Sequence, residues 1–166
     1  MELLLIRHAL ACKRDPLRWK ADALRPLSPR GMRRFRRAAA GLKRLVEPPA
    51  LVISSPLARA RQTANILRRV AGWPAPRILA AVAPGGNTER LLARLSGKNV
   101  DRLAVIGHEP ELGRLLACCL GGSAARISIE FRKGAVACVA FDSDVIAGRG
   151  SLRWLMPPRA LRGLAD

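Results

Sequence analysis

Apolar residues follow two rhythms along this chain. One is the short unbroken run: Leu3–Ile6, Leu51–Ile53, Leu103–Ile106 and Ala135–Phe141. Runs of that length, closed by polar or turn residues, predict strands covered on both faces. The other rhythm repeats every three to four residues. Met32, Phe35, Ala39, Leu42 and Val46 show it, and so do Leu57, Ala60, Ala64, Leu67 and Ala71. That spacing places one apolar stripe on a helix and turns the intervening arginines to water.

The expected strands are 2–7, 50–54, 77–82, 102–108, 134–141 and 151–156. Between them, Ser28-Pro29 and Ser55-Pro56 read as helix starts, with Ser as N-cap and Pro in the first turn. Pro48-Pro49, Gly72 and Gly121-Gly122 read as helix stops. Two further helices are expected, at 87–95 and after Pro110. Residues 9–27, mixed and polar with two prolines, read as a loop. Strands alternating with helices predict an α/β fold: a three-layer sandwich with a mostly parallel central sheet. No linker or repeat divides the chain, so a single domain over 1–166 is expected.

Charge changes the picture more than length does. Thirty Lys and Arg against 12 Asp and Glu give a net charge of +18 on 166 residues. Such a field favours anionic partners, although exposed helix faces account for many of the arginines. The four cysteines form no CxxC pair, so free thiols in a reducing compartment are the simplest reading. No apolar run nears the roughly 20 residues of a membrane span. A cytoplasmic protein with no membrane association is the expectation.

There are two histidines, and each ends a predicted core strand. In a parallel sheet the carboxyl ends of the strands share one edge, where ligands bind. His8 and His108, 100 residues apart, are therefore expected at one pocket. The helix after the second strand also starts there, with Arg59 and Arg61 in its first two turns. A helix N-terminus and a guanidinium both favour an anion. Arg7, His8, Arg59 and His108 together suit a phosphate dianion.

Other phosphate chemistries lack their residues. No carboxylate cluster is available for a metal, no GxxxxGK[ST] loop is present, and Cys12 is followed by Leu17 rather than by the Arg of a Cys-x5-Arg signature. No cofactor is expected. The remaining nucleophile is an imidazole, which attacks phosphorus in its neutral form and holds the phosphoryl group until water removes it. Neighbouring cations keep that imidazole neutral. Either histidine fits the role on chemistry alone.

Three segments resemble the motifs of the histidine phosphatase superfamily. "LIRHA" (5–9) resembles its Arg-His-Gly signature, with Ala9 for the glycine. "SSPLARARQTA" (54–64) is similar to its Ser-Pro-x-x-Arg-Ala-x-Gln-Thr motif, and "VIGHEP" (105–110) to its Gly-His strand end. "RPLSPRG" (25–31), "FRKGAVACV" (131–139) and "LRWLMPPRAL" (152–161) resemble segments of the SixA-type phosphohistidine phosphatases, a compact branch without an insertion subdomain. The resemblance implies that His8 is the phosphorylated nucleophile and that Arg7, Arg59 and His108 hold the phosphoryl group.

Ester-cleaving relatives place a Glu or Asp general acid after the second motif. Residues 64–88 here contain no carboxylate. An alkoxide leaving group needs such an acid, worth about 10²–10⁴-fold, more than an imidazole does. The expected activity is therefore metal-independent hydrolysis of phosphohistidine on a protein partner, a phosphotransfer domain or carrier. Small phosphate esters, nucleotides or polyphosphate are the alternative substrates, and a non-enzymatic polyanion-binding module is a further alternative. Glu109 is a candidate substitute acid, or else a cap for the next helix. Lys133 is a candidate substrate contact, while Gln62 and Thr63 are expected to stabilise their helix. With three Phe, three Trp and no Tyr, the chain offers little stacking surface, which disfavours nucleic acid.

Overall fold

The computed structural model describes residues 1–124 and 127–165. Its strands are β1 (Glu2–Arg7), β2 (Leu51–Ser54), β3 (Arg77–Ile78), β4 (Arg102–Gly107), β5 (Val136–Ala140) and β6 (Ser151–Met156). The helices are α1 (Pro29–Leu45), α2 (Ala58–Ala71), α3 (Thr88–Leu95), α4 (Glu111–Gly121) and α5 (Pro158–Gly163). Short 3-10 turns form at Asp22–Leu24 and Ala80–Val82.

The strands form one sheet in the order β3-β2-β4-β1-β5-β6. β1, β2, β3 and β4 are mutually parallel; β5 runs against both β1 and β6. The mostly parallel sheet of the sequence reading is what the fold contains. Alternate residues of each central strand enter opposite cores. Leu4, Ile6, Ala104 and Ile106 pack under α1, α2 and α5, with Phe35, Leu42, Leu67 and Leu161. Leu3, Leu5, Leu103 and Val105 pack under α3 and α4, with Leu91, Leu95, Leu112 and Leu115. The unbroken apolar runs exist because both faces of these strands are covered. Full burial stabilises each such leucine or valine by roughly 1.5–3 kcal/mol.

Three expectations are corrected. The strand expected over 77–82 stops at Ile78, because the chain turns to bury Val82 over the end of β4. The second Ser-Pro does not cap α2: Leu57 occupies the N-cap position without a side-chain bond. Helix α5 was not anticipated, since six residues are too short for a periodic signal. It lies against α1 where Gly41 has no side chain; a Cβ there would sit 1.8 Å from the Leu161 carbonyl oxygen. The first Ser-Pro behaves as expected, with Ser28 Oγ accepting from the Gly31 N–H.

Among the described residues, no helix is long and apolar enough to cross a membrane. All four cysteines are free thiols.

Candidate active site

β1 and β4 are adjacent and in register, Arg7 opposite Gly107. The next residue on each strand is a histidine, and the His8 N–H donates to the Gly107 carbonyl at 3.0 Å. The two imidazoles stand side by side, with ring centroids 5.0 Å apart and planes at 53°. On the far side of β4, β2 delivers Ser55. On the far side of β1, antiparallel β5 starts where β1 ends, so its lead-in loop joins the site. The Gly134 N–H bonds the carbonyls of Arg7 and His8. Gly134 holds φ at +80°, a conformation that favours glycine.

Each ring is fixed by its own partner. His8 Nδ1 lies 2.7 Å from the Ala9 carbonyl. A carbonyl only accepts, so Nδ1 bears the proton and Nε2 carries the free lone pair. His108 Nε2 lies 2.8 Å from Ser55 Oγ. That hydroxyl oxygen accepts from the Leu57 N–H at 3.3 Å, and since Ser55 is fully buried, the acceptor that the described residues offer its own proton is His108 Nε2. His108 then carries its proton on Nδ1, which has no partner among the described residues although it is buried.

The two arginines are held from behind. Arg59, only 4% exposed, donates from Nη1 to the Asp22 carbonyl at 2.9 Å. Its Nη2 pairs with Asp22 Oδ2 at 3.1 Å. Arg7 Nη1 donates to the Phe131 carbonyl at 2.6 Å. In both side chains Nε is buried without a partner among the described residues. Native proteins rarely leave a buried donor unpaired. Here three such donors, Arg7 Nε, Arg59 Nε and His108 Nδ1, belong to one cluster of cations and imidazoles. An oxyanion satisfies all three.

Electrostatics set the protonation state. Burial is the main force pushing His8 down to about 4, with Arg59, Arg7 and Lys133 adding repulsion. Burial also pushes His108 down to about 3, reinforced by His8, Arg59 and Arg7. Both rings are neutral at pH 7. The sequence reading attributed this to neighbouring cations; desolvation is the larger cause.

The segments around His8 are fixed by residues that the motifs contain. Thr63 Oγ1 donates to the Arg59 carbonyl at 2.7 Å and accepts from the Ala9 N–H at 3.1 Å. Gln62 Oε1 accepts from the Leu27 N–H at 2.7 Å. Both residues therefore reach beyond their own helix, whereas only stabilisation of that helix was expected of them. Ser28 donates its N–H (3.0 Å) and its hydroxyl (3.2 Å) to the Leu10 carbonyl. A Cβ on Gly31 would lie 2.0 Å from that same oxygen. "RPLSPRG" thus clamps the turn that follows His8.

The remaining sequence candidates divide. Lys133 is exposed, yet its charge reaches the His8 ring. Arg61 is exposed on the outer face of α2. Glu109 is half-buried, and its Oε1 accepts from the Gly113 N–H at 3.0 Å, so it caps α4. Burial raises its carboxyl above the ordinary value, against the pull of that bond and of Arg7. Asp22 and Ser55 were missed as site residues. Asp22 lies in a segment without periodicity, and Ser55 was read as a helix cap. Among the described residues, no three His, Cys, Asp or Glu side chains group so as to hold a metal ion.

Comparison with known proteins agrees with this architecture. Residues 3–81 match the profile of the Histidine phosphatase superfamily (branch 1). An uncharacterized protein of Picosynechococcus sp. strain PCC 7002 is 30% identical over 95% of this chain and 100% of its own. The structure of the protein histidine phosphatase SixA complexed with tungstate superposes with a TM-score of 0.83. It is 28% identical, covering 97% of this chain and 99% of its own. The alpha-ribazole phosphatase from Shigella flexneri shares the fold at a TM-score of 0.71 and 18% identity, over 95% of this chain and 97% of its own. The chain belongs to the histidine phosphatase superfamily and has the compact α/β architecture of its SixA-type members.

Proposed function

We propose that this phosphatase hydrolyses phosphohistidine on a protein partner, a phosphotransfer domain or carrier, through a covalent intermediate on His8. The observation that carries the reading is the bond from His8 Nδ1–H to the Ala9 carbonyl. It leaves Nε2 unprotonated beside three unpaired buried donors. His8 Nε2 attacks phosphorus in line, forming a new N–P bond as the substrate's N–P bond breaks. The leaving imidazole nitrogen takes a proton from solvent. Water then attacks phosphorus from the opposite side. Inorganic phosphate leaves, and His8 returns neutral. Arg7 Nε, Arg59 Nε and His108 Nδ1 stabilise charge on the phosphoryl oxygens throughout.

Two observations favour a phosphoramidate over an ester. Glu109 is engaged in capping α4, its Oε1 accepting from the Gly113 N–H. The relative of 28% identity is a protein histidine phosphatase. The second reading, a small phosphate ester, is favoured by one feature: burial raises the Glu109 carboxyl, as a general acid requires. Charge neutralisation by arginine supports turnover without a metal, and no cofactor enters the scheme.

Phosphate release from a phosphohistidine protein, a phosphate ester and polyphosphate, measured with chelator present, tests the proposal. The fastest turnover is expected on phosphohistidine. Faster turnover of the ester or polyphosphate reassigns the substrate, and salt-sensitive polyanion binding without turnover reassigns the protein as a binding module.

A further inference from the structure

Beside His8 the surface opens into a cleft of about 360 Å³. Its floor is apolar: Ala9, Leu10, Phe35, Pro157 and Pro158. Its rim is basic: Arg34 from α1, Arg132 and Lys133 from the loop before β5, and Arg159 and Arg162 from α5. None of its described lining residues is an Asp or Glu. The packing of α5 on α1 creates this rim, because it brings Arg159 and Arg162 up to Arg34. Arg162 feels the repulsion of Arg34 and Arg159. Of the rim cations, Arg132 pairs with Glu130 at 3.0 Å, an exposed pair of little strength.

The cleft is continuous with the catalytic cluster. Ala9, the partner of the His8 ring, forms part of its floor. Lys133 lines the cleft and also acts on His8. Concentrated like charge, lined by no acidic side chain and relieved only by the exposed Arg132–Glu130 pair, serves an anionic ligand. The apolar floor decides which kind. A bare polyanion gains nothing from Leu10, an aliphatic side chain left 39% exposed, or from Phe35 and two prolines. A protein segment that mixes carboxylates with apolar side chains matches both floor and rim.

We infer that the cleft between α1, the loop before β5 and α5 docks an acidic, partly apolar segment of the phosphorylated protein and selects such substrates. The inference rests on the phosphoprotein reading above. Carboxylates on the rim guide the encounter, and the apolar contacts hold the phosphohistidine at Nε2 of His8.

The test compares three probes phosphorylated with phosphoramidate. They are free histidine, a decapeptide whose phosphohistidine is flanked by Leu and four Glu, and the same peptide with Gln for Glu. Wild type and R34E/R159E/R162E are assayed at low and high salt, with circular dichroism confirming the fold of the variant. Wild type is expected to cleave the Glu peptide about tenfold faster in kcat/KM than the Gln peptide at low salt, with the preference fading as salt screens it. The variant is expected to lose or reverse that preference and to cleave free phosphohistidine at the wild-type rate.

Equal rates on both peptides overturn the docking inference and leave the phosphatase reading intact. So does an equal loss by the variant on free phosphohistidine. Polyphosphate inhibition that the triple substitution abolishes, with no peptide preference, reassigns the cleft to polyanions. Cleavage of free phosphohistidine but of neither peptide defeats the phosphoprotein reading, and the docking inference with it.

Discussion

Two clusters of cations meet at Ala9, and they are built in different ways. In the catalytic cluster every side chain is anchored: Arg59 on Asp22, Arg7 on the Phe131 carbonyl, His8 on Ala9 and His108 on Ser55. The rings and Arg59 are buried: desolvation holds both imidazoles neutral, and the poorly screened fields of the neighbouring cations add to it. In the cleft, Arg34, Arg159 and Arg162 line an open rim where water and salt weaken their fields. In the proposed scheme the same residue type would perform two tasks. Desolvated and fixed, it would stabilise charge at a reacting phosphorus. Solvated on the rim, it would recruit an acidic segment.

The largest effect that separates the clusters belongs to His8. H8A is expected to reduce phosphate release at least about 10³-fold and to abolish the acid-labile phosphoenzyme, detected by rapid quench with labelled substrate. Substantial turnover by H8A contradicts the covalent scheme. D22N comes next. Arg59 keeps its charge but loses its ion pair, and a misplaced guanidinium is expected to lower kcat/KM by about 10–100-fold at nearly unchanged stability. A drop seen only in melting temperature makes Asp22 structural instead.

G31A probes the clamp rather than the charges. The added methyl would collide with the Leu10 carbonyl, so a loss of about 1–3 kcal/mol in urea unfolding is expected, together with reduced kcat.

The pH dependence of stability follows from burial of the rings. Both histidines have folded values below the ordinary one, so between about pH 6.5 and 4 the unfolded chain binds protons that the folded chain does not. Stability therefore rises with pH through that window and falls as pH drops, by on the order of 3 kcal/mol for His8 alone. H8A should flatten that acid limb in unfolding titrations from pH 4 to 8. The smallest effect is predicted for the cleft: R162Q should leave the melting temperature within about 2 °C of wild type. A large fall would mean that the rim holds α5 in place.

How far the sequence could be read depended on distance along the chain. His8 and His108 were legible because each ends an apolar run, and parallel strands put such ends on one edge. Arg59 was legible because its motif follows a strand directly. Asp22 was not, since nothing in a mixed polar loop says that it will fold back beneath Arg59, 37 residues away. Ser55 looked like a helix cap because Ser-Pro is a local signal. Only the adjacency of β2 and β4 turns its hydroxyl toward His108. The Ile78–Val82 segment misled for the same reason: its apolar pattern suits a strand, but burial over β4 prevailed.

By itself the sequence determined the alternation of strands and helices, the two-faced core and the four residues brought to one sheet edge. These follow from periodicity and from the geometry of parallel strands, both encoded within a few neighbouring residues. The tertiary structure alone decided the tautomer of each histidine, the anchor behind each arginine, and the cleft that α5 completes against α1. Those depend on which distant carbonyls, carboxylates and glycines arrive within hydrogen-bond or van der Waals reach, and no local pattern encodes that.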